Sequence, residues 1–157
     1  MISIIVAIAK NNVIGNSNTM PWYYPEDLKY FRELTTGKTI LMGRRTFDSI
    51  LARNGKPLPM RKHIVVTRNP DFSYPGVEVI NDLSEFLKEK REEEVFVIGG
   101  GEIYHSALPY AQRLYITHID HAYPGDVYFP EIDYDKYNLL AKRTSSELTF
   151  AIYERIE

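Results

Sequence analysis

Two neighbouring acids, Glu26 and Asp27, are the first residues whose type and spacing suggest chemistry. Residues 20–31 are typical of a loop that turns into a helix, with a proline at its start and both acids in its first turn. At about 100° per residue, Asp27 shares a face with Phe31 and Leu34, whereas Glu26 points away from that face. An inward carboxylate needs a partner, because an unpaired buried charge is very costly. Asp27 is therefore a candidate ligand-facing acid; the alternative is that it only complements the helix dipole.

Two strand–glycine–helix units could hold phosphate groups. The buried strand 39–43 is followed by Arg44, Arg45 and Thr46 at the start of a helix. Free N–H groups and the helix dipole favour an anion there, and the arginines add charge. A second apolar strand, beginning at Val95, ends in Gly99–Gly101, where missing side chains let a pyrophosphate approach the backbone. The alternatives are a solvated arginine pair and a simple tight turn, since neither unit matches a P-loop or G-x-G-x-x-G.

The remaining chain must position these residues. Apolar runs and alternating patterns predict eight strands, and helical patterns predict four helices that fall mainly between strands. The predicted strands are 2–9, 39–43, 63–68, 77–80, 95–98, 114–119, 137–144 and 147–156, and the predicted helices are 26–36, 44–51, 83–91 and one after Gly101. A turn-rich connection is expected over 53–59, and a polar loop with Gly15 as its flexible point over 13–19. We therefore predict one α/β domain over residues 1–157, an eight-stranded, mostly parallel mixed sheet with an antiparallel C-terminal strand, flanked by four helices.

Composition excludes several classes of function. The 157 residues include 19 basic and 21 acidic side chains, so nothing suggests non-specific binding to nucleic acid or membranes. Without cysteine there is no disulfide, thiolate nucleophile or cysteine-based metal site, and the four histidines lack ligand spacing, so no metal is expected. The apolar start stops at Lys10, too short for a signal peptide or a membrane span, and we expect a cytoplasmic protein.

At this point the combination of motifs resembles the dihydrofolate reductase family of bacterial type, over essentially the whole chain. The motifs, in order, are VAIAKNNVIG, MPW with an acid five residues after Trp22, ILMGRRTFDSI, PLPMRKHIVVTR, VIGGGEIY, and YITHID followed by GD. The resemblance is weakest over residues 127–157. It implies hydride transfer from NADPH to carbon 6 of dihydrofolate, with protonation of nitrogen 5, for one-carbon metabolism.

The resemblance also implies a substrate site. Asp27, assisted by Thr117, would hold the pterin's amino group and adjacent ring nitrogen, and Arg61 would pair with the α-carboxylate of the folate glutamate. Since Asp27 then holds the edge of the pterin opposite nitrogen 5, a water near Met20 and Trp22 would carry the proton. The implied apolar walls are Ile5, Leu28, Phe31, Ile50, Leu58 and Ile98.

The resemblance also implies a cofactor site that prefers NADPH to NADH, because Arg45 and Arg68 favour the 2′-phosphate that only NADPH carries. The glycine turn would contain a cis Gly99–Gly100 bond, backbone at Ala7 and Ile14 would contact the nicotinamide carboxamide, and residues 15–20 would form a mobile covering loop. The full set is Ala7, Val13, Ile14, Gly15, Asn16, Ser17, Asn18, Thr19, Gly43, Arg44, Arg45, Thr46, Thr67, Arg68, Ile98, Gly99, Gly100, Gly101, Glu102, Ile103 and Tyr104.

Departures from the family pattern and two rival functions complete the expectations. Tyr23–Tyr24 is bulkier than the usual pair, and the connection at 53–56 looks a few residues longer, so Lys56 receives no role. Arg32 and Glu102 occupy positions where the family varies.

Two other functions are possible for this fold. A pteridine- or pyrimidine-reductase relative would lack Asp27, Trp22 and Arg61 together. The second alternative is a non-catalytic subunit that binds NADPH. Dihydrofolate and antifolate inhibitors are the expected partners of a protein that we predict to be a monomer.

Overall fold

A computed structural model describes residues 1–16 and 19–156, and over these residues the chain forms ten strands and four α-helices. The strands are β1 (Ile2–Ala9), β2 (Val13–Gly15), β3 (Thr39–Gly43), β4 (Lys62–Val66), β5 (Val77–Ile80), β6 (Val95–Gly99), β7 (Arg113–Ile119), β8 (Val127–Tyr128), β9 (Tyr137–Ser145) and β10 (Leu148–Arg155). The helices are α1 (Pro25–Thr35), α2 (Arg44–Asn54), α3 (Leu83–Lys88) and α4 (Gly101–Ala107).

Eight of these strands form one twisted sheet in the order β5-β4-β3-β6-β1-β7-β10-β9. Neighbouring strands from β5 to β7 pair in parallel, and β10 runs antiparallel to both β7 and β9. The predicted fold class is therefore confirmed, including the antiparallel C-terminal strand. The strand β1 lies in the middle, and its near-continuous burial explains why its sequence is an apolar run broken only by Ser3.

The two faces of the sheet carry different helices. Side chains of α3 and α4 pack with Ile4, Val6 and Leu114 in one apolar cluster. Those of α1 and α2 pack on the other face with Ile5 and Phe47. Since a fully buried side chain of this size contributes roughly 1.5–3 kcal/mol, these two layers hold the helices in place.

The parallel strands bring several loops to one edge of the sheet. The chain leaves β1, β3, β6 and β7 at their carboxyl ends, which meet at the same edge because these strands run in parallel. The partner of Met42 at the end of β3 is Gly99 at the end of β6. The two predicted phosphate-binding units are thus neighbours in space, although more than 50 residues separate them in the sequence.

Several predicted boundaries are wrong. The helix α2 continues to Asn54 and ends at Gly55, which adopts a left-handed conformation, so the expected connection at 53–59 begins two residues later. The helix α3 ends at Lys88 rather than residue 91, because no apolar side chain beyond Leu87 is there to be buried. The strand β4 ends at Val66, which leaves Thr67 and Arg68 in the following loop.

A second sheet of two strands was not predicted. The segment Val13–Gly15, expected to be loop, pairs antiparallel with Val127–Tyr128. A Cβ at Gly125 would clash with Val13 Cγ1 and lie 2.5 Å from the carbonyl oxygen of Gly15, so glycine is required for this approach. Strands of two and three residues are too short to show an alternating pattern.

The longest helices among the described residues have 11 residues, too few and too polar to cross a membrane.

Candidate functional site

A hydrogen-bonded carboxyl group lies between α1 and β7. The hydroxyl of Thr117 donates to Oδ1 of Asp27 at 2.6 Å. Thr117 stands beside Ala7 in the register of β1 and β7, and Asp27 comes from the first turn of α1, after the proline that starts this helix. Burial raises the pKa of Asp27 above its usual value, and the Thr117 hydrogen bond partly opposes that rise. The arrangement leaves the second carboxylate oxygen for other donors.

The side chains predicted to form the apolar walls of a ligand pocket lie together. Five of the six predicted wall residues belong to one apolar cluster on the α1–α2 face of the sheet. They are Ile5, Phe31, Ile50, Leu58 and Ile98. The sixth, Leu28, is 38% exposed and lies outside that cluster. A flat apolar ligand could pack among these side chains while its polar edge meets Asp27.

Arg61 lies at the far end of the same helix face. Its Nη1 donates to Thr35 Oγ1 at 3.2 Å, and its Nε donates to the carbonyl oxygen of Pro59 at 3.0 Å. Among described residues no carboxylate pairs with this guanidinium; burial, followed by the charge of Arg32, lowers its pKa. A partly buried cation without an acid is suited to an anionic ligand group.

The helix α1 spaces these groups. Asp27, Phe31 and Thr35 follow one another at intervals of four residues, which places them on one face. A rise of 1.5 Å per residue separates Asp27 from Thr35 by about 12 Å along the axis. The face therefore presents an acid, an apolar wall and an anchored arginine in that order.

The second half of the site is a backbone cradle. A Cβ at Gly43 would lie 3.9 Å from the amide nitrogen of Gly100, and one at Gly100 would lie 3.6 Å from Thr46 Oγ1. The N-terminus of α2 and the glycine turn are therefore adjacent, and the expected cis Gly99–Gly100 bond is present. Side-chain-free backbone beside a hydroxyl and a helix N-terminus fits a pyrophosphate. These residues suit a dinucleotide cofactor.

Three arginines lie around this cradle in different settings. Arg44 is held by Asp48 at 3.3 Å and stacks on the Phe72 ring at 3.9 Å from its centroid. Arg45 and Arg68 are exposed and make no ion pair within the described part of the chain. The latter two are therefore the available cations for a phosphate group.

The loop before α1 carries Trp22, which packs with Val13 and Ile119 in a third apolar cluster. The Trp22 ring is buried, and its Nε1–H has no acceptor among the described residues. Met20 is 38% exposed. Asn16 and Thr19 form a short antiparallel bridge that closes the preceding loop, whereas the predicted contacts of Ser17 and Asn18 lie outside the described residues. A buried, unpaired N–H group is costly, which favours a donor that serves a ligand or water.

Other predicted residues have structural contacts. The Tyr104 hydroxyl donates to the carbonyl oxygen of Ile5 at 2.9 Å, and burial raises the tyrosine's pKa. Ile103 and Ile14 pack against the apolar cluster on the α3–α4 face. Glu102 is exposed. Lys56 is exposed too, and its carbonyl oxygen accepts a hydrogen bond from Asn54.

Sequence reasoning missed Thr35, His63 and a tyrosine network. Thr35 repeats the i, i+4 spacing from Phe31, a signal that could have identified it. The hydroxyl of Tyr24 contacts both the Tyr123 hydroxyl and a Glu147 carboxylate oxygen, which joins the start of α1 to two distant loops. No sequence pattern indicates contacts over 99 and 123 residues.

The chain is similar in sequence and in fold to known proteins. Residues 1–155 match the family model described as "Dihydrofolate reductase". A dihydrofolate reductase of Bacillus subtilis (strain 168) is 42% identical over 163 residues, spanning 99% of this chain and 95% of that protein. "Dihydrofolate reductase type 3" of Salmonella typhimurium is 48% identical over 132 residues, spanning 83% and 79%. The structure of "Dihydrofolate reductase from Enterococcus faecalis complexed with NADP(H) and RAB-propyl" has a TM-score of 0.86 at 32% identity, covering 100% of this chain and 97% of that one.

Proposed function

The chain belongs to the dihydrofolate reductase family and is an NADPH-dependent oxidoreductase, and we propose that Asp27, Arg61 and Trp22 carry out its substrate chemistry. The observation that carries the proposal is the order of groups along α1: a buried, hydrogen-bonded acid, an apolar wall and an anchored arginine. Dihydrofolate has matching parts in the same order, namely a polar heterocycle, a flat aromatic linker and a glutamate.

Asp27 holds the pterin. Its free carboxylate oxygen accepts from the pterin's amino group, while the other oxygen is shared between the adjacent ring nitrogen and Thr117. The negative charge makes the pterin more basic, which favours its protonated form. The cofactor supplies the hydride that reduces carbon 6. Because Asp27 lies at the edge opposite nitrogen 5, its role is to orient the ring and to stabilise positive charge.

The proton reaches nitrogen 5 from the side of the pocket on which Trp22 lies. The unpaired indole N–H can position a water, and the neighbouring Met20 limits access from solvent. Arg61 holds the glutamate α-carboxylate through its guanidinium fork, and Thr35 fixes the direction of that fork. Together these contacts place the ring at a defined depth beside the cofactor, the positioning effect that accelerates reactions most reliably.

NADPH binding is assigned to the cradle between β3 and β6. The amides at the start of α2 and the glycine turn bind the pyrophosphate, and Arg45 and Arg68 bind the 2′-phosphate that NADH lacks. The same pocket, acting in a monomer, would take antifolate inhibitors that carry a polar heterocycle for Asp27.

Neighbouring acids provide a matched test. We expect Asp27→Asn to slow NADPH consumption with dihydrofolate about 100-fold at pH 7, since a lost charge-assisted hydrogen bond costs roughly 1.5–3 kcal/mol. The rate should recover partly at lower pH, because solvent acid can protonate the substrate. Glu26→Gln removes a carboxylate one residue away, on the solvent side, and should leave the rate unchanged.

The binding of NADPH, measured by fluorescence titration, should be equal in both variants. A near-normal rate for Asp27→Asn at pH 7, or NADPH binding lost together with activity, would show that Asp27 is not the pterin-facing acid. The rival of a non-catalytic subunit predicts NADPH binding by the wild-type chain without turnover.

A further inference from the structure

A buried histidine links both ends of the loop that carries Arg61. His63, the second residue of β4, is only 2% exposed. Its Nε2 accepts a hydrogen bond from the backbone N–H of Leu58 at 3.1 Å, and its Nδ1 lies 3.1 Å from the carbonyl oxygen of Arg61. One imidazole ring therefore closes the segment Leu58–Arg61.

These two partners fix the state of the ring. A backbone N–H can only donate, so Nε2 must be an unprotonated acceptor, and a carbonyl oxygen can only accept, so Nδ1 must carry the proton. The imidazole that satisfies both partners is neutral. Burial and the Arg61 charge lower the pKa of His63, while the hydrogen bond to the Arg61 carbonyl opposes them.

Among the described residues, one charged group acts on His63. The Phe47 ring of α2 lies edge-on at 6.1 Å, and the strand neighbours in the sheet are Ile40 of β3 and Val77 of β5. All three are apolar. Within the part of the chain that the structure describes, only Arg61 brings charge to the imidazole, and a second positive charge on the ring would be repelled by it.

The segment held by this ring supplies two parts of the substrate site. Leu58 belongs to the apolar pocket, and the Arg61 guanidinium is the anchored cation. Thr35 fixes the Arg61 side chain. The main chain on either side of Arg61 is held by backbone hydrogen bonds from Gly37 N–H to the Met60 carbonyl oxygen and from Lys62 N–H to the Lys38 carbonyl oxygen. The His63 ring adds a contact to the carbonyl oxygen of Arg61 itself. Because a bidentate arginine contact depends on direction, a small movement of this main chain would misalign the guanidinium.

We propose that His63 is a positioning residue for the carboxylate end of the substrate, holding Arg61 in place as a neutral imidazole. The proposal rests on the proposed role of Arg61. It predicts that protonation of His63 removes the acceptor for Leu58, releases the loop and weakens binding of glutamate-bearing ligands. Ligands that end before the glutamate depend on it less, because they meet Leu58 but not Arg61.

Two variants separate positioning from packing. His63→Leu removes both hydrogen bonds, whereas His63→Asn retains one acceptor and one donor on a single amide. We expect His63→Leu to raise the Kd of dihydrofolate about tenfold, equivalent to one hydrogen bond. The Kd of a 2,4-diaminopyrimidine inhibitor without a glutamate should rise much less, because that inhibitor meets the Leu58 wall but not Arg61, and the Kd of NADPH should be unchanged. His63→Asn should restore most of the dihydrofolate affinity.

A distant histidine provides the control. His118 is half-buried and its Nε2 lies 2.8 Å from the Tyr153 hydroxyl, so it is also a hydrogen-bonded ring in the sheet. His118→Leu should change neither Kd. If His63→Leu weakens dihydrofolate, the diaminopyrimidine and NADPH equally, His63 only supports the fold and the proposal is wrong.

The same measurements distinguish failure of this proposal from failure of the substrate site. If Arg61→Leu does not selectively weaken dihydrofolate, Arg61 is not the carboxylate partner. If Arg61→Leu does so and His63→Leu does not, Arg61 stands and the positioning role of His63 fails. Should His63→Leu not fold, the wild-type chain and His63→Asn are compared as the pH is lowered, while NMR follows protonation of the His63 imidazole. Only the wild type should lose dihydrofolate affinity relative to the inhibitor at the pH at which His63 takes up its proton, and equal behaviour of the two chains through that pH overturns the proposal.

Discussion

Replacing the buried acid of the site should make the ligand-free protein more stable while it removes activity. Asp27→Asn keeps the size of the side chain and an oxygen that accepts from Thr117. Burial is the largest influence on the Asp27 carboxyl and raises its pKa, so the folded state disfavours the charge that this group carries at neutral pH. An uncharged amide avoids that cost.

The magnitude follows from two opposing terms. Each unit by which a pKa is raised corresponds to about 1.4 kcal/mol of lost stability once the group is ionised. Against this, a hydrogen bond to a charged acceptor is stronger than one to a neutral acceptor by about 1 kcal/mol, and the variant loses that difference. Because the net direction for Asp27 is upward, burial outweighs the Thr117 contact. We expect a gain on the order of 1 kcal/mol at pH 7, or about 2–4 °C in Tm.

The pH dependence gives the sign of the effect. A carboxyl whose pKa is higher in the folded state holds its proton longer when folded, so its cost is absent below the unfolded value near 3.8. The cost develops as pH rises through the folded pKa. The stability difference between Asp27→Asn and wild type should therefore be largest at neutral pH and shrink in acid.

Urea unfolding at several pH values, followed by the fluorescence of the single tryptophan, measures this difference. Glu26→Gln is the control, because Glu26 is exposed and accepts from Arg143 at 3.3 Å and from Ser145 at 2.8 Å. That variant should be unchanged or slightly less stable. A less stable Asp27→Asn at pH 7, or a gain that does not vary with pH, would refute the reasoning about burial.

Two further predictions concern the cofactor and the hydrogen bond to the acid. Replacing Arg45 and Arg68 together by alanine should weaken NADPH by at least about 100-fold more than NADH, since charged hydrogen bonds contribute roughly 1.5–3 kcal/mol each; equal losses in Kd would rule out a 2′-phosphate site. Thr117→Val removes the donor that lowers the pKa of Asp27, so an NMR titration of that carboxyl should move to higher pH, and an unmoved or lower midpoint would contradict the assigned contact.

The elements with strong periodicity could be predicted from the sequence. The apolar runs of β1, β3 and β6 are buried on both faces, and a strand in that environment leaves little other choice of residue. The inward face of α1 was also predicted, because a helix of three turns repeats its pattern often enough to be recognised. Asp27 was identified for the same reason: it is an acid in an otherwise apolar stripe.

Features that depend on distant contacts could not be predicted. The pairing of β2 with β8 requires knowledge of where residues 127–128 lie. The helix α2 extends beyond its predicted end because it terminates at Gly55, which adopts a left-handed conformation, and not where the apolar repeat ends. His63 looked like an ordinary residue of a buried strand, since hydrogen bonds from a side chain to the main chain have no periodic signature.

The central place of β1 has a consequence for how the chain folds during synthesis. Ile2 pairs with Val95, and the other neighbour of β1 begins at Arg113. Roughly 90 further residues must therefore be synthesised before β1 can pair with either neighbour. The strands β3, β4 and β5 pair in sequence order and can associate as soon as they appear. Non-local pairing of this kind slows folding. Until then the seven apolar residues of β1 lack their partners in the sheet, so an apolar segment is exposed and prone to aggregate while the chain is being made.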